Sequence, residues 1–476
     1  MLNKRKYTTI IIAINFSLIA VLVIYLVLNN KFKTTITNPY VHYRQRDAFV
    51  EQHRGTDIAW SQNIGGSLNE NAVAIFKSPI DTNIIHIFGN TQSNDFDFDF
   101  AGSFMAILQD NGRTVDFITI NKGMDIVKVI IENDQYIILQ NGQDDNYVVA
   151  VTRINFTGEI ISTWSTTDTT NLYAKEIIFV NEDALNPNFI VIYSRFVGIF
   201  GYELIAVQIN AALFPQNNPP ISRIESHYSL DFLSAYRFQN QLVIFAHESR
   251  TNSAVQTAAI ILQQVGGNAE FYRIDLNFEY STLDLQPCEQ GYIMVVVATD
   301  GTNIGATYIV RIDYDYTLSD LHNTKMKGVS FAKLLPHSKN YYVFLYSGQG
   351  GSMFLFDLAA PPSTKLQDID GFSDFKNITD YFYQDYSNNK ITIIGQSNRG
   401  VTINSIQEKT LTKQVVLGGS QSDREVNPIM LAEKTTNTIT LAMTSYSASL
   451  TQQDKDVVRN FGDGDIWIVR LNQFLN

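Results

Sequence analysis

The chain has 476 residues, a formal net charge of −12 at pH 7, 45% apolar residues and 17% charged residues. This is the composition of a folded protein, and the plentiful tyrosine (24) and phenylalanine (30) favour β-structure. The acidic balance argues against a nucleic-acid partner, and the single cysteine, Cys288, excludes both an intramolecular disulfide framework and a zinc site built from several thiolates.

An apolar run near the N-terminus is the first element in chain order. Residues 10–28 are apolar except at two positions, and three basic residues at 4–6 precede them. A membrane span needs about 20 apolar residues, whereas the core of a signal peptide has about 7–15. The basic residues favour retention of that end in the cytoplasm. We predict an uncleaved, single-pass signal-anchor in the cell membrane with the rest of the chain outside; a cleaved signal peptide and a buried helix are the alternatives.

The remaining chain divides into a linker and one large domain. Residues 1–33 form the cytoplasmic tip and the transmembrane segment in this prediction. Residues 34–56 show no regular apolar period and are predicted to be a stalk. Residues 57–476 carry the whole of the folded domain.

A repeat of about 50 residues fills that domain. Gly65-Gly66-Ser67 and Gly418-Gly419-Ser420 begin two similar units, each followed by short apolar strands and an acidic loop. The same order of strands and loops recurs between them, which gives eight units. The repeat length of about 50 residues is in the range of four-stranded propeller blades, about 40–50 residues. The innermost strands are predicted to begin near Ala72, Ile126, Ala174, Phe232, Thr282, Gly328, Ile378 and Val426.

The strands and the ends of the domain agree with a closed ring. Residues 189–193 and 292–297 are short runs of β-branched and aromatic residues, as expected of strands buried on both faces. The last unit has three strands, and one strand, residues 58–64, precedes the first full unit. We therefore predict an all-β fold: a β-propeller of four-stranded blades, eight preferred and seven the alternative, with an N-terminal transmembrane helix. Strand 58–64 would close the ring by pairing with the C-terminal blade, which removes an exposed sheet edge.

The two terminal units also carry a recognisable pattern. The last unit runs from Gly418-Gly419-Ser420 to Asp465-Ile466-Trp467, and the first unit has Phe104 where the last has Trp467. This order resembles the repeats of bacterial surface or secreted β-propeller proteins of the Gly-Gly-Ser … Asp-x-Trp type. The resemblance implies a propeller at a bacterial surface and assigns no activity.

The acidic loops are the one feature of the sequence that indicates a ligand. Three aspartates alternate with phenylalanine in the first unit, and the corresponding loop of the last unit is also acidic. Clustered carboxylates suit Ca²⁺, which takes six to eight oxygen ligands. The predicted calcium ligands are Asp95, Asp97, Asp99, Asp463 and Asp465. Solvated surface turns are the alternative, and no cofactor besides this calcium is predicted.

The sequence leaves two functions open. The seven histidines show no metal-ligand spacing, and no catalytic triad is recognisable. We predict a membrane-anchored extracytoplasmic module that binds a protein or a glycan on one propeller face. The alternative is a carbohydrate- or peptide-active hydrolase or lyase that uses the mouth of the propeller channel. Whether the protein is an enzyme stays open, with binding favoured.

Overall fold

The computed structural model describes residues 58–472 except for 22 short segments. These segments are residues 67, 94–100, 133, 144–147, 167–170, 180–187, 199–200, 211–221, 225–228, 239–240, 250–255, 265–268, 289–290, 338–339, 349, 362–363, 370–371, 373–374, 386–389, 398–399, 419–424 and 447–463. The predicted anchor and stalk therefore lie outside the described residues. Within the described part, no helix has the length and apolarity that a membrane span requires.

The described residues form 32 strands and one 3₁₀ turn, Gly301–Asn303. In chain order, the first sixteen strands are β1 (Ile58–Ile64), β2 (Glu70–Lys77), β3 (Ile84–Thr91), β4 (Gly102–Gln109), β5 (Thr114–Lys122), β6 (Met124–Glu132), β7 (Gln135–Gly142), β8 (Val149–Asn155), β9 (Ile160–Ser165), β10 (Leu172–Phe179), β11 (Asn188–Phe196), β12 (Tyr202–Asn210), β13 (Ser222–Ile224), β14 (Ser229–Phe238), β15 (Gln241–Ser249) and β16 (Gln256–Gln264). The others are β17 (Ala269–Arg273), β18 (Tyr280–Cys288), β19 (Gly291–Ala298), β20 (Ala306–Asp313), β21 (Leu318–Lys327), β22 (Val329–His337), β23 (Asn340–Ser347), β24 (Gly350–Asp357), β25 (Leu366–Asp368), β26 (Asp380–Asp385), β27 (Lys390–Ser397), β28 (Gly400–Gln407), β29 (Thr410–Leu417), β30 (Glu425–Glu433), β31 (Thr438–Ser445) and β32 (Asp465–Leu471).

These strands form eight antiparallel sheets of four, which confirms the prediction of an all-β propeller with eight blades rather than seven. Blades 1 to 7 each consist of four consecutive strands, starting with β2, β6, β10, β14, β18, β22 and β26. Within each blade the chain runs from the innermost strand outwards. We call the side where the chain passes from one blade to the next the crossover face, and the opposite side, with turns such as residues 110–113, the hairpin face.

Blade 8 contains both ends of the described chain. Its order is β1-β32-β31-β30, so β1 supplies the outermost strand. β1 pairs antiparallel with β32, with Ser61 opposite Val469 and Asn63 opposite Trp467. The N-terminal strand thus joins the last sheet and leaves β32 paired on both edges.

Apolar side chains fill the spaces between neighbouring blades. Eight buried hydrophobic clusters occur among the described residues, and each joins two adjacent blades. Because successive residues of a strand point to opposite faces, Trp467 contributes to the cluster of blades 7 and 8 and Ile468 to that of blades 8 and 1. This explains why the middle strands read as continuous apolar runs.

The innermost strands share a β-bulge. In seven of the eight innermost strands that the structure describes, one or two residues near the start of the strand have no pairing partner on the second strand of the blade. They are Val73, Val127, Lys175, Leu233, Leu283, Ser330 and residues 427–428. A bulge releases backbone groups from the ladder, and these groups need other partners when buried.

A polar side chain from the preceding blade supplies such a partner. Asn90 of β3 accepts from the Ile126 N–H at 2.6 Å and donates to the Ile126 carbonyl at 3.1 Å. At the equivalent position of β7, Asn141 accepts from the Ala174 N–H at 2.6 Å. In blade 8, Thr444 donates to the Glu70 carbonyl at 3.0 Å. These contacts tie the second strand of one blade to the innermost strand of the next.

Charged side chains also cross the seam between blades 8 and 1. Arg470 of β32 lies 2.8 Å from Asp110 and 2.7 Å from Glu433. Lys77 contacts the same two carboxylates, at 2.5 and 2.8 Å. Only 5% of the Arg470 side chain is exposed, so the network lies mostly out of water. Two cations therefore share two carboxylates at the place where the ring closes.

Replacing Arg470 tests the contribution of this network. Arg470→Met should lower the free energy of unfolding by about 2–3 kcal/mol, because loss of one partner leaves buried charge uncompensated. Lys128→Met is the matched control, since Lys128 is 42% exposed and makes one ion pair, with Glu176 at 2.5 Å. That control should cost about 1 kcal/mol or less. Denaturant melts measure both, and equal effects would contradict the seam's importance.

Candidate functional site

The predicted calcium ligands are only partly within the described residues. Asp95, Asp97, Asp99 and Asp463 lie outside them. Asp465 is the first residue of β32 and is fully buried. Its carboxylate lies so close to Gly65 that a Cβ there would be 1.9 Å from Oδ1, so only glycine fits. Among the described residues no group of three or more His, Cys, Asp or Glu could hold a metal ion, and the calcium site stays a prediction.

The Gly-Gly-Ser motif of the first unit has a structural explanation. Glu70, three residues after Ser67, is 1% exposed, and its carboxylate accepts the Gly66 N–H at 2.9 Å. The same carboxylate accepts the hydroxyls of Thr91 at 2.9 Å and Ser93 at 2.5 Å. The motif therefore shapes the crossover from blade 8 to blade 1, with Glu70 as its buried hydrogen-bond acceptor.

Two histidines are buried between blades. His86 of β3 is 2% exposed and shares a hydrogen bond of 2.6 Å with the Tyr136 hydroxyl of blade 2. Burial lowers the pKa of His86 from 6.5 to about 4. His247 occupies the position in β15 that Asn90 and Asn141 hold in blades 1 and 2, and its ring hydrogen-bonds to the backbone of Thr282. Both histidines are therefore parts of blade interfaces.

His247 also borders the channel mouth on the crossover face. It lies directly opposite Asp231 in the β14–β15 ladder. Burial lowers the pKa of His247, and the Asp231 carboxylate opposes that shift. Asp231 is 60% exposed, and Lys175 of the preceding innermost strand lies 4.0 Å from it. The side chains of Asp231, Lys175 and His247 thus lie together where blades 3, 4 and 5 surround the channel.

Aromatic rings extend this mouth outwards. Tyr173, at the start of β10, has its ring centroid 6.0 Å from that of Tyr202, and Phe196 lies 5.3 Å from Tyr202. Phe196 is 43% exposed and Tyr202 is 38% exposed. The Tyr202 N–H donates to the Ser229 hydroxyl at 3.1 Å, which fixes this rim against blade 4. We call Tyr173, Lys175, Phe196, Tyr202 and Asp231 the channel-mouth site.

No pattern in the sequence marks this site. Phe196 ends β11 and Tyr202 begins β12, so the two rings meet only because the strands pair. The one available signal was position: Tyr173 and Asp231 each immediately precede a predicted start of an innermost strand. Exposed aromatic side chains beside a charge pair are typical of surfaces that bind another molecule.

Comparison with known proteins finds solved structures of low similarity and no matching sequence. No known family matches the sequence, and no curated protein does. Among solved structures, the Dos1 propeller is 10% identical over 86% of this chain and 94% of that chain, with a TM-score of 0.49. The WD40 domain of SCAP from fission yeast is 9% identical over 87% and 98%, with a TM-score of 0.44. Prolyl oligopeptidase B from Galerina marginata is 10% identical over 87% and 59%, with a TM-score of 0.47. At such identities and TM-scores these similarities assign no function to the chain.

The buried His86 predicts a pH dependence of stability. Its folded pKa of about 4 lies below the ordinary 6.5, so the unfolded chain binds the extra proton between these values. The free energy of unfolding should therefore fall as the pH drops from 6.5 to 4, by on the order of 3 kcal/mol from this residue. His86→Gln keeps a polar partner for Tyr136 without a titrating group. Denaturant melts across this window should show a flatter profile for the variant, and an unchanged slope would contradict the assignment.

Proposed function

We propose that this protein is a membrane-anchored extracytoplasmic propeller that binds a partner protein at the channel-mouth site. The exposed pair of Phe196 and Tyr202 carries the proposal. Tyr202 contacts Tyr173 and Ser229, each two residues before a member of the pair Lys175 and Asp231. Aromatic anchors next to a partly exposed charge pair are the arrangement that protein interfaces use for their strongest contacts.

The predicted anchor and the direction of β1 support a channel-mouth site that points away from the membrane. The apolar run at 10–28 is long enough to span a bilayer, and its basic flank favours a cytoplasmic N-terminus. β1 runs from the hairpin face to the crossover face, because Ile58 pairs with Leu471 at the end of β32. A chain that rises from the membrane would therefore enter the ring at the hairpin face. The crossover face, with its mouth, would point away from the membrane.

A hydrolase or lyase at the same mouth is the second candidate function. The side-by-side placement of Asp231 and His247 favours it, since an exposed carboxylate and a neutral imidazole are the usual groups of acid–base catalysis. The two candidates differ in what His247 does. A binding module should keep its partner after His247→Asn, the residue found at this position in blades 1 and 2, whereas an enzyme should lose its activity.

Photo-crosslinking in intact cells tests the binding proposal. A benzoylphenylalanine at position 196 or 202 of the full chain should crosslink the same protein. Ile161, on the outermost strand of blade 2, is 45% exposed and is the matched control position. Asp231→Lys should abolish the crosslinks by reversing the charge at the mouth. The same adducts at position 161, or none at 196 and 202, would contradict the proposal.

A second arm of the experiment tests location. Because Cys288 is buried, a cysteine placed at Tyr202 would be the one readily reactive thiol of the described residues. A membrane-impermeant maleimide should label Tyr202→Cys in intact cells. Labelling only after lysis would place the propeller on the other side of the membrane.

A further inference from the structure

Exposed aliphatic side chains are concentrated on the hairpin face of blades 1 and 2. They are Ile80 (67% exposed), Val115 (41%), Ile131 (40%), Ile160 (45%) and Ile161 (45%), five of the twelve large apolar residues that are exposed among the described residues. All five lie in or next to the turns that join the strands of these two blades on that face. We call them the hairpin-face patch.

Contacts between the turns make this patch one surface. In blade 1 the Asp110 N–H donates to the Asn83 carbonyl at 2.7 Å, which joins the two hairpin-face turns of that blade. The turn of blade 2 before Ile160 packs directly on blade 1, since a Cβ at Gly158 would lie 2.2 Å from Cδ1 of Ile118. The apolar side chains are therefore displayed from turns that are fixed relative to one another.

Two members of the patch occupy a position that other blades fill with a hydroxyl. Val115 and Ile161 are each the unpaired bulge residue near the start of an outermost strand. In blades 5 and 7 the same bulge holds Ser319 and Thr412, whose hydroxyls donate to carbonyls of the third strand at 3.3 and 3.0 Å. Blades 1 and 2 give up this bond for an exposed aliphatic group, which indicates a surface that another group covers.

Carboxylates surround the patch. The turns at residues 78–83, 110–116, 131–134 and 156–161 contain one basic residue, Arg113, and six acidic residues: Asp81, Asp110, Asp116, Glu132, Asp134 and Glu159. Of these, Asp110 already pairs with Lys77 and Arg470. A surface that is both apolar and acidic repels anionic lipid and a second copy of itself, and it attracts a segment with aromatic and basic side chains.

Such a segment precedes the ring in this chain. Residues 40–46, outside the described residues, have the sequence Tyr-Val-His-Tyr-Arg-Gln-Arg, and the first acidic residue of the whole chain is Asp47. β1 enters the ring beside the patch, because Trp60 donates to the Asp110 carbonyl at 2.9 Å. The 12 peptide units between residues 46 and 58 extend to at most about 40 Å. This short tether keeps the segment at a high local concentration near the patch.

We propose that residues 40–46 of this chain dock on the hairpin-face patch. Tyr40, Val41 and Tyr43 cover the aliphatic side chains, and Arg44 and Arg46 pair with the surrounding carboxylates. The docked segment holds the hairpin face toward the part of the chain that precedes it, so the ring does not swing freely on its stalk. The docking rests on neither the channel-mouth site nor the membrane anchor, so its failure is distinguishable from that of the proposed function.

Photo-crosslinking of the purified full chain in lipid nanodiscs identifies the occupant. A benzoylphenylalanine at position 80 or 161 should form an intrachain adduct with residues 40–46, identified by mass spectrometry of the digest. Ile304, 62% exposed in a turn of the crossover face, is the control position and should form no such adduct. Adducts with lipid or with a second copy, in place of the intrachain adduct, would overturn the proposal.

Limited proteolysis of the same sample tests the contacts. Val115→Ser combined with Ile161→Thr installs the hydroxyls that blades 5 and 7 carry at this bulge, so the melting temperature should stay unchanged. Trypsin should cleave after Arg44 or Arg46 at least tenfold faster in this double variant than in the unmodified chain. Tyr202→Ala, at the channel mouth, is the control and should leave the rate unchanged. Equal cleavage rates in the double variant and the unmodified chain would mean that the patch does not hold the segment.

Discussion

The pairing of β1 with β32 is the interaction on which the ring depends. It joins segments about 400 positions apart in the sequence, so a large loop must close before these hydrogen bonds form. Closure places Trp60 against blade 1, where its indole N–H donates to the Asp110 carbonyl at 2.9 Å. The side-chain carboxylate of Asp110 also forms ion pairs with Lys77 and Arg470. Backbone pairing, an apolar cluster and an ion network thus coincide at one seam.

The bulged innermost strands explain why neighbouring blades do not slide past each other. Apolar contacts between blades are not directional, and alone they would tolerate small shifts. Asn90 and Asn141 set the position of the next blade, because each bonds to the backbone of one particular residue, Ile126 and Ala174 respectively, next to a bulge. Asp284 and Asp380 act similarly between innermost strands, accepting the N–H groups of Leu334 at 2.7 Å and Met430 at 3.0 Å. Asn141 thereby holds Ala174, the residue between Tyr173 and Lys175 of the channel-mouth site.

The sequence predicted the blades better than the sites. Apolar runs and the 50-residue rhythm gave eight units, because strands buried on both faces leave a local signal that needs no knowledge of tertiary contacts. The inter-blade ties could not be predicted, since Asn90 and Ile126 meet only once the ring exists. The hairpin-face patch left no signal either, because its members lie on separate turns of two blades that come together only in the folded ring. The acidic residues were the visible feature, yet Asp465 turned out to be buried at the seam.

His247 both bonds to the next blade and borders the channel mouth. In blades 1 and 2 the equivalent residue is asparagine. The Asn90 amide makes two hydrogen bonds to the next blade, and the Asn141 amide makes one. An imidazole can make one such bond and still present a second nitrogen, which in His247 is buried without a partner among the described residues. Blade 4 therefore departs from the structural pattern at the point where Asp231 and Lys175 also lie.

Native-state hydrogen exchange tests most directly the claim that seam closure makes the ring one cooperative unit. If closure holds the ring together, the amides of Ser61 in β1 and Val469 in β32 should open only with global unfolding. Their opening free energy should then equal that of the buried strand β15 in blade 4, across the ring. A free energy for β1 several kcal/mol below that of β15 would show that the seam opens by itself, and would contradict the account.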